Sequence, residues 1–223
     1  MTAISIFDVD RTLTRLPTYS AFLLGAARAE APWRLALVPL LLPIALPYAL
    51  KRVERRTMKQ AMHALLLGRR VPRARIEAVA ERFAGALYHD GLYPQALARI
   101  AAERAEGRRV MLATAAPAFY VAPLARRLGI DDVIATAATW DGDTLTHRIA
   151  GDNCYGPAKL AMLRAHLDDR AIAREAAHVR FFSDHHTDLP VFEWADEPIA
   201  VNPTPRLRAI AQARGWPTLD WRA

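Results

Sequence analysis

Two aspartates separated by one residue, Asp8 and Asp10, follow directly on the apolar stretch Ile4, Ser5, Ile6 and Phe7. Packing does not need them there, and like charges so close repel unless a cation or a proton sits between them. The same arrangement recurs later, where Val179, Arg180, Phe181 and Phe182 run into Ser183, Asp184, His185, His186, Thr187 and Asp188. Between the two acidic stretches stand two single groups. Thr114 ends an apolar run and is followed by Ala115, Ala116 and Pro117, residues small enough for a backbone to approach a ligand closely. Lys159 falls in the first turn of a predicted helix, where a cation works against the local dipole. It makes sense there if it faces an anion; otherwise it points into water. The simpler reading of Asp8 and Asp10 is a turn that caps the next helix.

These groups need elements to hold them. Residues 4–7, 109–113, 132–136, 179–182 and 198–201 read as short buried strands, β-branched or aromatic. Residues 95–106, 118–128, 158 onward and 205–214 read as helices, with Gly107 and Gly129 as stops. Residues 139–149, with Asp141, Gly142 and Asp143 at a turn, read as a β-hairpin. Strands alternating with helices predict an α/β fold, a Rossmann-like parallel sheet with helices on both faces. In such sheets the loops beyond the carboxyl ends of the strands carry the chemistry. Residues 18–90 show no convincing strand and read as a helical insertion, with helices over 19–29, 57–67 and 74–88. The expected organisation is therefore a core of 1–17 and 91–223 with an inserted helical cap.

Lys and Arg number 30 against 23 Asp and Glu, a net charge of +7. That balance favours anionic partners such as phosphate esters or an acidic membrane surface. Most of the arginines are scattered along helical stretches, where solvated faces are their default place. No basic cluster is interleaved with aromatics as in single-strand binders, so nucleic acid is not expected. One cysteine, Cys154, excludes an intramolecular disulfide and fits a reducing compartment. With no partner base in its neighbourhood, it reads as a packed small residue. Met1 leads straight into a strand, so no signal peptide is expected and the chain reads as cytoplasmic.

Residues 35–50 carry no charge. Trp33 and Arg34 flank them on one side, and Lys51, Arg52, Arg55 and Arg56 on the other. A spanning helix needs roughly 20 apolar residues. This run is shorter, and Pro39, Pro43 and Pro47 each remove a backbone donor. An interfacial or re-entrant hairpin fits better, with basic residues at headgroup level and Trp33 and Tyr48 as anchors. The alternative is a helix pair buried inside the cap.

Taken together, the acidic, hydroxyl and lysine positions resemble the haloacid dehalogenase-like phosphohydrolase superfamily. Asp8-Val9-Asp10-Arg11-Thr12 is similar to its first motif, Thr114 to its second, Lys159 to its third, and Ser183-Asp184 through Asp188-Leu189-Pro190 to its fourth. An insertion directly after the first motif is similar to the phosphoserine-phosphatase-like group. The resemblance implies a phosphomonoester hydrolase. Asp8 would attack phosphorus and form an aspartyl-phosphate, and Asp10 would act as general acid and then base. Mg²⁺, a hard ion preferring oxygen ligands, would bind Asp8, the carbonyl of Asp10, and Asp184. Thr114 and Ala115 would bind phosphoryl oxygens, Lys159 would hold nucleophile and phosphate, and Asp188 would position Lys159 or a metal-bound water. A phosphotransferase remains open, since the covalent intermediate can pass to an acceptor other than water.

Two positions depart from the family. Arg11 stands where Gly is common, either reaching toward substrate or facing solvent. His185 and His186 stand where small polar residues are usual, and beside two aspartates they raise zinc as a lesser candidate. The cap, with its leucine- and proline-rich run and basic exit, resembles that of the bacterial type C phosphatidylglycerophosphate phosphatases. That implies a lipid phosphate at the inner face of the cytoplasmic membrane. The alternatives are a soluble phosphatase of a small metabolite, of the phosphoserine or histidinol phosphate kind, and a non-catalytic membrane-binding relative.

Overall fold

A computed structural model of the chain describes residues 1–222. Nine strands and nine α-helices are found among them. The main sheet has six strands in the order β4-β3-β1-β7-β8-β9. These are β1 (Thr2–Phe7), β3 (Arg109–Pro117), β4 (Asp132–Thr136), β7 (Ala177–Ser183), β8 (Glu197–Val201) and β9 (Thr218–Leu219). Every pairing in it is parallel. A parallel sheet is buried on both faces, so its strands read as near-continuous apolar runs. Ile4, Ile6 and Phe7 are fully buried, as are Phe181 and Phe182. Phe7 stacks on Phe182 across the pair with ring centroids 4.2 Å apart.

β1 lies between β3 and β7, so the chain leaves it toward one side and later returns on the other. That is a topological switch point, and the loops after β1, β3 and β7 open into one crevice. Helices α5 (Pro94–Ala105), α6 (Ala118–Arg127), α7 (Pro157–Asp169), α8 (Leu189–Trp194) and α9 (Pro205–Arg214) complete this part. Pro occupies the first turn of α5, α7 and α9, where its missing N–H costs nothing. α9 ends on Gly215 at φ 67°, the left-handed stop that glycine allows.

At the amino ends of the strands sits a buried ionic cluster. Glu103 is fully buried and accepts from Ser5 Oγ, while Arg108 and Arg180 both pair with it. Arg108 also donates to the carbonyls of Ile4 and His178. The cluster ties α5 to β1 and β7 at the edge away from the crevice.

The segment between β1 and α5 is largely helical: α1 (Thr18–Glu30), α2 (Leu42–Ala49), α3 (Arg55–Met62) and α4 (Arg73–Ala86). Wide turns at 63–67 and 87–91 extend α3 and α4. One expectation is corrected here. Residues 18–90 are not free of strand, because β2 (Arg70–Pro72) pairs antiparallel with β6 (Thr144–Ile149). With β5 (Ala138–Asp141) these form a second sheet of order β2-β6-β5. Three residues carry too little alternation to be read as a strand; the hairpin edge supplies the partner. The insertion is fastened to that hairpin: Arg56 donates to the carbonyls of Ile149 and Gly151, and Gln60 Oε1 accepts from Ile149 N.

The apolar run lies on the outside. A tight helical turn over Pro32–Leu41 leads into α2, and only 6% of the residues of Pro32–Ala49 are buried. By length and composition it is the one helical stretch among the described residues that could cross a membrane. Leu41 is buried, and Leu37 and Ile44 are half-buried. Trp33, Leu40, Leu42, Leu46 and Leu50 are each about 60% exposed or more. The packed helix pair considered above is therefore not what forms.

Candidate active site

The crevice above β1, β3 and β7 contains a cavity of about 270 Å³ lined by Asp8, Asp10, Arg11, Thr114, Ala115, Lys159, Asp184 and Asp188. The catalytic, substrate-binding and Mg²⁺ candidates from the sequence thus meet in one place, with His185 but not His186 beside them. Asp8 and Asp10 are delivered by the turn after β1. Leu13 and Thr14 donate their N–H groups to the carbonyl of Val9, which folds the turn back on itself. Thr114 comes from β3, Lys159 from the first turn of α7, and Asp184 and Asp188 from the loop after β7.

Lys159 is the pivot. Its ammonium, 1% exposed, donates to Asp8 Oδ1 at 2.8 Å and to Asp188 Oδ2 at 2.6 Å. Asp188 Oδ2 also accepts from Ser183 Oγ at 2.7 Å. Burial opposes the charge on Lys159, but the two carboxylates outweigh it and raise its pKa. The first-turn lysine therefore faces anions, as its unfavourable place on the helix requires.

Asp8 accepts a longer bond, 3.3 Å, from Thr12 Oγ1. Burial pushes its carboxyl up to about 7; Lys159 pulls it down, and Asp188 and Asp10 push it up. Asp184 is pushed up to about 8 by burial and then by the charges of Asp8 and Asp188. Two buried carboxyls with raised pKa values beside a single lysine mark an excess of negative charge. A divalent cation relieves such an excess.

The donor set fits Mg²⁺ better than zinc. No group of three or more His, Cys, Asp or Glu side chains is spaced for a metal among the described residues. Two carboxylates with a backbone carbonyl suit an ion that keeps most of its waters. His185 Nδ1 is engaged with Thr187, at 2.9 Å from its hydroxyl, and burial lowers the pKa of both His185 and His186.

Asp10 is oriented by a residue that sequence reasoning did not single out. Its Oδ1 accepts from both Thr18 N at 2.8 Å and Thr18 Oγ1 at 2.7 Å. The start of α1 therefore holds the second carboxylate. Thr18 Oγ1 in turn lies 2.9 Å from Tyr120 OH. Thr114 Oγ1 accepts from Ala116 N at 3.1 Å, which fixes the turn at the end of β3.

A second cavity of about 210 Å³ shares Asp10, Pro17, Arg55 and Ala115 with the first. It adds Tyr19, Tyr48, Met58, Lys59 and Met62. Lys59 is buried and donates to the carbonyl of Ala115 and to Asn153 Oδ1, each at 2.6 Å. Burial, helped by Arg55, pushes its ammonium down to about 7. Tyr155, in the stretch Asn153-Cys154-Tyr155-Gly156 that the sequence offers as shaping the pocket, lines the first cavity; Arg55 and Lys59 were not anticipated as lining residues, and the basic exit of the apolar run was the one signal for Arg55. Cys154 is fully buried, and burial pushes its thiol up to about 12, so it stays a packed thiol.

Comparison with known proteins agrees with the geometry. Residues 6–193 match the model of the haloacid dehalogenase-like hydrolases. Phosphoserine phosphatase SerB1 of Mycobacterium tuberculosis is 33% identical over 119 residues, covering 52% of this chain and 37% of that protein. The match thus spans little more than a third of that relative's length. A crystal structure of a Bordetella pertussis protein of unknown function superposes with a TM-score of 0.87 at 28% identity, covering 99% of both chains. A probable phosphoserine phosphatase of Vibrio cholerae shares the fold, with a TM-score of 0.68 at 15% identity over 95% of this chain and 59% of that one. The chain belongs to the haloacid dehalogenase-like hydrolase family, with the fold of its phosphoserine-phosphatase-like members.

Proposed function

We propose that the chain hydrolyses a phosphate monoester through a covalent intermediate on Asp8. The observation that carries this is the Lys159 ammonium bridging Asp8 and Asp188 in one cavity with Asp10, Thr114 and Asp184. The Asp8 carboxylate attacks phosphorus and the bond to the leaving oxygen breaks, while Asp10 gives that oxygen its proton. Asp10 then takes a proton from water, whose oxygen displaces phosphate from Asp8. Lys159 holds the nucleophile and balances phosphoryl charge, and Thr114 with the Ala115 backbone binds phosphoryl oxygens. Asp188 and Ser183 hold Lys159 in place. Asp8, Asp184 and the carbonyl of Asp10 would hold Mg²⁺, which supplies charge neutralisation on the phosphoryl group when bound.

For the leaving group, the exposed apolar run favours a lipid phosphate met at a membrane surface. Tyr48 of α2 lines the cavity that opens from the catalytic one, so the run and the site are continuous. Transferring an exposed leucine out of water is worth about 1.5–3 kcal/mol. Four exposed leucines and Trp33, with Lys51 and Arg52 beside them, suit an anionic bilayer. The reading carries with it a site of action at the inner face of the cytoplasmic membrane. The full-length protein is expected to float with anionic liposomes. Leu42→Asp/Leu46→Asp is expected to stay with the unbound fraction while keeping its turnover of a soluble aryl phosphate. Failure of the unaltered protein to float removes the membrane part of the reading. A soluble phosphoserine-type substrate is the second reading, favoured by the similarity to a phosphoserine phosphatase. A screen with Mg²⁺ of water-soluble esters and of phosphatidylglycerophosphate in micelles separates the two.

A further inference from the structure

Lys59, on α3 of the insertion, is a buried lysine that the reaction above does not use. A buried ammonium is costly unless it is paired or hydrogen-bonded. Its bonds go to neutral groups, the carbonyl of Ala115 and Oδ1 of Asn153, each at 2.6 Å. Tyr19 OH donates to the Lys59 carbonyl at 2.8 Å and so pins the residue from α1. Two of the three ammonium donors are thus held by the protein itself.

Both acceptors stand beside the candidate site. The pairing of β3 with β4 shifts register between Thr114 and Pro117, so the ladder does not run evenly past Ala115. Side chains take its place there. Thr136 Oγ1, at the end of β4, lies 2.9 Å from the Ala115 carbonyl and 3.0 Å from Asn153 Oδ1, and it accepts from Cys154 N at 3.1 Å. A hydroxyl has one proton, so Thr136 serves one of those two oxygens at a time. The ammonium serves both at once. Lys59 therefore joins three pieces of chain: its own helix, the turn after Thr114, and the Asn153 loop that runs into α7 and Lys159.

We infer that Lys59 is a positioning residue: from the insertion it fixes the Ala115 carbonyl and the Asn153 side chain, and so sets the turn whose backbone binds the phosphoryl group. The inference rests on the phosphatase reading above. It gives the insertion a part in holding the phosphoryl group, the portion every phosphate ester shares. Fixing the Ala115 carbonyl restricts rotation at that residue, so its N–H keeps its aim where the ladder is irregular.

Lys59→Met keeps the reach of the side chain and removes the donors. Asn153→Ala keeps the lysine and removes one of its two partners. The measurements are kcat and KM with Mg²⁺ for three esters, and the inhibition constant of inorganic phosphate. The esters are p-nitrophenyl phosphate, O-phosphoserine and short-chain phosphatidylglycerophosphate below its micelle concentration. In Lys59→Met, KM is expected to rise about tenfold, by the same factor for every ester the unaltered protein turns over, and the phosphate inhibition constant rises with it. Asn153→Ala moves both constants the same way by a smaller factor. A lysine that only supports the fold gives a different result: loss of folded protein lowers the rate and leaves KM and the inhibition constant where they were. Unchanged constants in Lys59→Met, or in Asn153→Ala where the first variant does not fold, overturn the positioning role. A rise confined to one ester assigns Lys59 to the leaving group and overturns it too. No turnover of any ester by the unaltered protein overturns the phosphatase reading itself, and this role with it.

Discussion

Asp8→Asn is expected to lower Mg²⁺-dependent turnover of an aryl phosphate by at least about a thousandfold, with no loss of stability. The substitution keeps the shape of the side chain and an oxygen for Lys159 to reach. It removes the charge that makes the group a nucleophile, and an amide does not form the mixed anhydride. The stability half follows from electrostatics. Asp8 is buried among Asp10, Asp184 and Asp188, and its raised pKa says that its ionised form is disfavoured there without a metal. A neutral amide therefore lowers the repulsion, and the thermal midpoint in metal-free buffer holds or rises. Steady-state assays and melting curves on the same preparation check both halves. A Mg²⁺-dependent rate equal to that of the unaltered protein overturns Asp8 as nucleophile.

Lys159→Met is expected to abolish activity and to destabilise the fold as well. Methionine fills a similar volume but leaves Asp8 and Asp188 facing each other without the ammonium that bonds both. Removing one partner of a buried ionic group costs about 3–5 kcal/mol. For a chain of this size that is on the order of 10 °C in thermal midpoint. The deficit has a sign in pH. Without Lys159 the Asp8 carboxyl, already raised to about 7, rises further above its unfolded value of 3.8. The folded state then binds the extra proton, so stability falls as pH rises from 3.8 through the folded value and levels off above it. The deficit is largest at pH 8 and shrinks as the buffer is made acidic. A variant that melts with the unaltered protein at pH 8 in metal-free buffer shows that the ammonium does not compensate the pair.

The candidate site residues were legible because each lies within a few positions of a strand end or a helix start. An apolar run followed at once by Asp8 and Asp10, and again by Asp184 and Asp188, needs no tertiary information to stand out. What holds these groups is not local. Thr18 reaches Asp10 from the start of the insertion, and Lys59 reaches the Ala115 carbonyl from α3. β2 exists because the 138–149 hairpin offers it an edge, and β9 because β8 does. Nor did hydropathy alone decide the fate of residues 35–50. The same leucines serve a buried pair or an outer face, and only the packing of α1 and the 63–67 turn leaves most of them uncovered.

The place of β1 in the sheet has a consequence for synthesis. The strand leaves the ribosome well before its neighbours, since β3 and β7 are encoded roughly a hundred and more residues later. Until Ser183 clears the exit tunnel, Ile4, Ile6 and Phe7 have no complete cleft to occupy, and the aspartates behind them cannot assemble. Nascent chains arrested before that point are expected to stay protease-sensitive near the amino end. Protection there should arrive only with the later strand, so the candidate site comes together in one step once β7 is available.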